Sequence, residues 1–152
     1  MKRSLVFLVA VCLALTLVSC NRDIRAVDML EEFCELYGCE GVIYSPERAE
    51  GEDGYMREDL FHAIYTYHGT PPKSYAVMLN SHTQSYSECG VFICRDTAEL
   101  SSVKECVIER QTLLMAGESA VISISGNILF YSTFGETDKV LSAWKKIISS
   151  YT

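Results

Sequence analysis

The spacings that usually mark a metal or phosphate site are missing from this sequence. There is no Cys-x-x-Cys pair and no two histidines four apart, the arrangements that present paired zinc ligands. His62 and His68 are six apart, so on one helix they diverge by about 240°. No glycine-rich phosphate loop, nucleophile elbow or paired-carboxylate motif occurs. These absences argue against a bound transition metal or cofactor and lean the reading away from an enzyme. Basic residues are scarce, 13 Lys and Arg against 20 Asp and Glu, for a net charge of −7. Such a surface repels phosphate backbones, so nucleic acid is not an expected partner. Repeats and low-complexity segments are lacking too, and 152 residues suit a single domain.

Nor is there an apolar run long enough to span a bilayer, which takes about 20 residues. The run from Leu5 to Val18, broken only by Thr16 and preceded by Lys2 and Arg3, has the form of a secretory signal. It ends in Leu17-Val18-Ser19-Cys20, which resembles the bacterial lipobox. That resemblance implies cleavage before Cys20 and transfer of a diacylglyceryl group to its thiol. Two acyl chains hold a protein stably at a membrane where one does not. The expected organisation is a signal peptide over 1–19, a lipidated cysteine and tether over 20–26, and one domain over 27–152. The expected location is the outer face of the cytoplasmic membrane. Without Lys2 and Arg3, 11 basic and 20 acidic residues leave the mature chain at −9.

Beyond the tether, VDMLEEFCELYG reads as a helix, with Asp28 as N-cap, Gly38 as stop and a stripe of Val27, Leu30, Phe33, Cys34 and Tyr37. An acidic loop from Cys39 to Tyr55 follows, with a short extended piece at GVIY. MREDLFHAIYTYHG is helical again, with Leu60, Phe61, Ile64, Tyr65 and His68 on one face and Gly69 as stop. SYAVMLN and CGVFIC are strands joined by a polar connection. Asp96, with Glu99 three residues on, opens a third helix whose stripe is Leu100, Val103, Val107, Arg110 and Leu114. SAVISIS and ILFYSTF flank Gly126-Asn127 as a hairpin. DKVLSAWKKIISSY closes the chain as a helix burying Val140, Leu141, Trp144, Ile147 and Ile148. The class is α+β: two hairpins, each followed by a helix, form a four-stranded, mainly antiparallel sheet. One or two helices precede it, and the helices lie on one face.

The lipobox, YHGTPPKSYAVML, ECGVFIC, RDTAELSSVKECVIERQ and SGNILFYSTF together resemble a family of small lipoproteins of clostridia and related Firmicutes, known as a domain of unknown function. The resemblance implies a fold and a location but no chemistry. In that pattern an acidic residue precedes the second strand and an arginine lies late in the next helix, places that Glu88 and Arg110 fill here.

Of seven cysteines, Cys12 lies in the leader and Cys20 is assigned to the anchor, leaving Cys34, Cys39, Cys89, Cys94 and Cys106. An odd number cannot pair completely. Cys89 and Cys94 sit on opposite faces of one strand, about 17 Å apart, too far to bridge. Cys34 and Cys39 flank Gly38 and can approach each other, but buried free thiols are the favoured reading. Arg110 occupies an apolar stripe where an unpaired charge is costly. Its head either snorkels to solvent or pairs with a carboxylate, and Glu88 is the expected partner. His82 and Tyr86, in the polar connection, are candidate binding residues, and the tyrosines from Tyr44 to Tyr86 suit an exposed recognition cluster. The functional expectation is non-catalytic binding of a protein or ligand at the cell envelope. The alternatives are an envelope hydrolase or enzyme accessory built around His82, Glu88 or Cys89, and a surface module stabilised by calcium on the acidic run ERAEGEDGYMRED.

Overall fold

The computed structural model describes residues 23–80, 87–114 and 120–151. In chain order these form α1 (Ala26–Tyr37), β1 (Val42–Tyr44), α2 (Glu58–Tyr65), β2 (Ser74–Leu79), β3 (Glu88–Ile93), α3 (Thr97–Leu113), β4 (Val121–Ser125), β5 (Ile128–Ser132) and α4 (Thr137–Ile148). The strands make one sheet in the order β1-β2-β3-β5-β4, with every neighbouring pair antiparallel. The fold is α+β. Five strands are present where the sequence suggested four, because GVIY pairs with β2 in the register Val42↔Leu79.

The expectation of helices on one face is corrected. Both faces of the sheet are covered. Ala76, Met78, Cys89, Val91, Ile93 and Phe130 face α1 and α4, in a cluster centred on Phe33 and Trp144. Tyr75, Val77, Phe92, Leu129 and Tyr131 face the other way, towards α2 and α3 and their Phe61, Tyr65, Val103 and Val107. The physical reason is in the strands themselves: β2, β3 and β5 are apolar at nearly every position, and side chains alternate sides. A one-sided sheet would have left half of them in water. On the first face Phe130 stacks on Trp144 with ring centroids 4.4 Å apart.

Several helix ends also differ from expectation. Asp28 does not cap α1; Arg25 holds the N-cap position without a side-chain hydrogen bond. The buried Ala26 N–H donates instead to Ser74 Oγ, 2.7 Å away at the start of β2, and that hydroxyl donates to Glu47. A tertiary contact has replaced the local cap. α2 stops at Thr66, in the left-handed region at φ 50°, well before Gly69, and Leu60 and Leu141 are partly exposed rather than buried. By contrast, Gly38 ends α1 at φ 85° and Asp96 accepts a hydrogen bond from the Glu99 N–H, both as expected. At the hairpin tip Asn127 donates its side-chain amide to the Cys94 carbonyl, tying β4–β5 to the end of β3.

The acidic loop is bound to the sheet rather than free of it. Ser45 N–H donates to the Gly54 carbonyl, Met56 N–H to the Ser45 carbonyl, and Ser45 Oγ to the Tyr75 carbonyl. Glu47 receives Arg25 and Ser74, Arg48 reaches Glu31, and Glu52 accepts from the Ala49 N–H.

Replacing Ser74 with Ala strands the buried Ala26 N–H, and the cost of an unsatisfied buried donor is about 1–3 kcal/mol. Urea unfolding of S74A is expected to show a midpoint lowered accordingly with an unchanged slope.

Candidate functional site

β3 begins with Glu88 and Cys89, and strand alternation sends their side chains to opposite faces of the sheet. Each organises a separate cluster.

On the face of α2 and α3, Glu88 is only 3% exposed. Arg110, near the end of α3, meets it with Nε at 3.1 and 3.2 Å from the two carboxylate oxygens and Nη2 at 2.8 Å. Tyr131 OH donates to the same carboxylate at 2.8 Å, and Tyr65 OH donates to Tyr131 at 2.6 Å. Thr133 closes the backbone around Glu88, its hydroxyl accepting from the Glu88 N–H and its own N–H donating to the Glu88 carbonyl. Gly90 makes room for this arrangement. A Cβ there would lie 2.5 Å from a Tyr131 ring carbon and 3.2 Å from the Ala76 carbonyl oxygen. The ring therefore lies across Gly90 and delivers its hydroxyl to Glu88 two residues away. Burial, reinforced by the charge of Glu88, holds both the Tyr65 and Tyr131 phenols well above the ordinary range.

The other face carries three cysteines. Cys34 lies in the last turn of α1, where Gly38 takes a left-handed conformation. The N–H groups of Gly38 and Cys39 both donate to the Cys34 carbonyl at 2.9 Å, the closure that folds a chain back across its own helix end. Cys39 is thereby laid beside Cys34. Gly41 then passes so close to β2 that a Cβ would lie 2.6 Å from the Leu79 carbonyl oxygen, which holds the turn against the sheet. Cys89 completes the group from β3. All three sulfurs lie within 4.8 Å of one another, with Cys89 buried and Cys34 and Cys39 partly exposed. Hydrogen bonding with Cys34 and Cys89 holds the Cys39 thiol well below its ordinary range. The hydrogen bond to Cys39 raises Cys34 in turn, and burial pushes Cys89 well up.

The structure thus brings Glu88 and Arg110 together. Tyr65, Tyr67 and Tyr75, read from the sequence as part of an exposed recognition cluster, are buried between the sheet and α2. That reading is corrected: an amphipathic aromatic is as well used in a core as on a surface. Cys20, His82 and Tyr86 lie outside the described residues. Cys94 is buried on the face opposite Cys89. Three contributors escaped the sequence reading. Tyr131 looked like any strand aromatic. Gln111 is buried where the stripe suggested an apolar neighbour, and its amide donates to the Val121 carbonyl. The convergence of Cys89 on Cys34 and Cys39 needs a sheet to bring a residue about fifty positions away into place. Comparison with protein-family models, curated proteins and solved structures finds no match to this chain.

Two outcomes follow from the Glu88 cluster. Arg110→Met leaves a buried carboxylate unpaired, and such a break costs about 3–5 kcal/mol, whereas adding Glu88→Gln recovers a large part of that loss. Chemical denaturation of the two single variants and the double variant measures this coupling. In alkali, the raised phenols of Tyr65 and Tyr131 stabilise the folded state fully below their ordinary pKa near 10. Their contribution is lost as the pH climbs above 10, because only the unfolded chain can then ionise them. Phenolate absorbance should therefore include a late step that coincides with loss of the near-ultraviolet circular dichroism signal.

Proposed function

We propose that this chain is a lipid-anchored extracytoplasmic domain of the small-lipoprotein type, held at the outer face of the cytoplasmic membrane through Cys20, and that it works there by binding rather than catalysis. The observation that carries the reading is the run from Lys2 to Cys20, a basic start, a short apolar core and Leu-Val-Ser-Cys. The fold is compatible with it: α1 begins at Ala26, six residues after Cys20, so an anchored domain sits close to the bilayer. No helix among the described residues is long and apolar enough to cross a membrane.

The state of Glu88 supports binding over a hydrolytic role centred on that residue. Its carboxylate is engaged by Arg110 and Tyr131 on the buried side of α3, which suits a structural pair better than an acid or base awaiting substrate. In the acidic loop, Glu47 and Glu52 already accept hydrogen bonds from the chain.

Mass spectrometry of the mature protein tests the anchor. The expected N-terminal peptide begins at Cys20 and carries a diacylglyceryl group, and replacing Cys20 with Ser leaves an uncleaved precursor. An unmodified chain beginning at Met1 rejects the lipoprotein assignment.

A further inference from the structure

We propose that Cys34, Cys39 and Cys89 form a binding site for one thiophilic cation, of the class of zinc(II) or copper(I). This deepens the binding role proposed above by naming a ligand, yet it stands on the sulfur geometry alone and does not depend on the lipid anchor.

The ligand geometry fits. With metal–sulfur bonds of about 2.3 Å, three thiolates lie about 3.8 Å apart around a tetrahedral ion and about 4.0 Å apart in a trigonal plane. The three sulfurs already lie within 4.8 Å of one another, so small rotamer changes are enough to close on an ion. The ligands are held by two elements, the end of α1 and the strand β3. Cys34 is fixed by α1, Cys39 by the backbone closure at Gly38, and Cys89 by its place in β3 between β2 and β5. Soft thiolate ligands select copper(I) and zinc over magnesium, calcium or manganese.

Access fits as well. Cys34 and Cys39 are partly exposed, which gives the ion a path that the buried Cys89 alone would not offer. Glu31, the carboxylate at this end of α1 that acts on Cys34, is itself paired with Arg48, so the affinity of the site rests on its sulfurs. Among the described residues the cluster has three ligands and no fourth. That count suits trigonal copper(I), or zinc(II) with a solvent molecule in the fourth position. On binding, each sulfur forms a metal–sulfur bond, and each ligand that is still a protonated thiol gives its proton to water, with no change of oxidation state.

The full chain, purified in detergent under reductant and without oxygen, is titrated with zinc(II) and separately with copper(I), each against a chromophoric chelator. Cobalt(II) added in place of zinc reports sulfur ligation through its charge-transfer absorption. The expected result is one bound ion per chain for one of the two metals, with that metal naming the cation. Cys39→Ser, at a partly exposed position, should keep the circular dichroism of the parent while weakening binding beyond the roughly 10–100-fold that loss of an outer-shell partner costs. Cys94→Ser and Cys106→Ser should bind as the parent does. The inference is overturned if the parent takes up no more of either metal than the variant with all three cysteines replaced by serine. It is equally overturned if a Cys34–Cys39 disulfide is found and the reduced protein still takes up no ion. Neither result bears on the N-terminal mass, so failure here and failure of the lipoprotein assignment are separately visible.

Discussion

A buried carboxylate fixes how the second half of this chain assembles. Glu88, at the first position of the central strand, is almost wholly removed from water, and such a charge is tolerated only when donors surround it. The three groups that do so come from different elements: Arg110 from α3, Tyr131 from β5 and, through it, Tyr65 from α2. Satisfying one charge therefore requires both helices of that face and the central pairing β3–β5 to be in register together. A slip of one residue in β5 would send Tyr131 to the other face and leave Glu88 and Arg110 short of a partner. Apolar packing supplies the larger share of stability, but it tolerates alternatives that this charge does not.

The two faces of the sheet divide the work. The α2/α3 face is rich in aromatics and locked by polar contacts between Glu88, Arg110 and the two tyrosines. The α1/α4 face is packed by Phe33, Phe130 and Trp144, and at its margin it carries the sulfur cluster. Since Glu88 and Cys89 are neighbours on β3, the rigidity that the first face requires also holds the Cys89 sulfur in place on the second. The strand is the shared support: a residue that cannot move on one face cannot move on the other.

What the sequence made legible was local. The capping of α3 by Asp96, the αL stop at Gly38 and the hairpin at Gly126-Asn127 each follow from a few adjacent residues, and each stands in the structure. The charge on the α3 stripe was also visible, because Arg110 interrupts an otherwise apolar face. What stayed hidden depends on non-local pairing. β1 is three residues long and is a strand only because β2 offers it an edge. The cap of α1 comes from Ser74, 48 residues away, so no pattern near Asp28 could reveal it. Coverage of both faces was written in the unbroken apolar strands, against the ordinary expectation that an antiparallel sheet of hairpins keeps one face in water. The three cysteines follow the same logic. Cys34 and Cys39 are neighbours through a helix end, whereas Cys89 joins them only through the sheet.

α1 links the proposed anchor to the proposed metal site. The six residues from Cys20 to Ala26 reach at most about 20 Å when extended, and the twelve residues of α1 add about 18 Å along its axis. With Cys34 in the last turn of that helix, an anchored domain would hold the sulfur cluster no more than about 40 Å from the lipid headgroups. In an anchored chain, a tether this short would keep the site within that distance of the membrane surface. Confinement of that kind raises the effective concentration of the site for any partner fixed in the same bilayer. If the chain is anchored in this way, a pull on the anchor would reach the described fold first at the start of α1, at Ala26. There the hydrogen bond from Ala26 N–H to Ser74 Oγ, with Glu47 behind it, passes the load into β2 and so into the centre of the sheet. An ordinary N-cap would have secured only the helix; this one secures the helix to the strand that pairs with the cysteine-bearing β3.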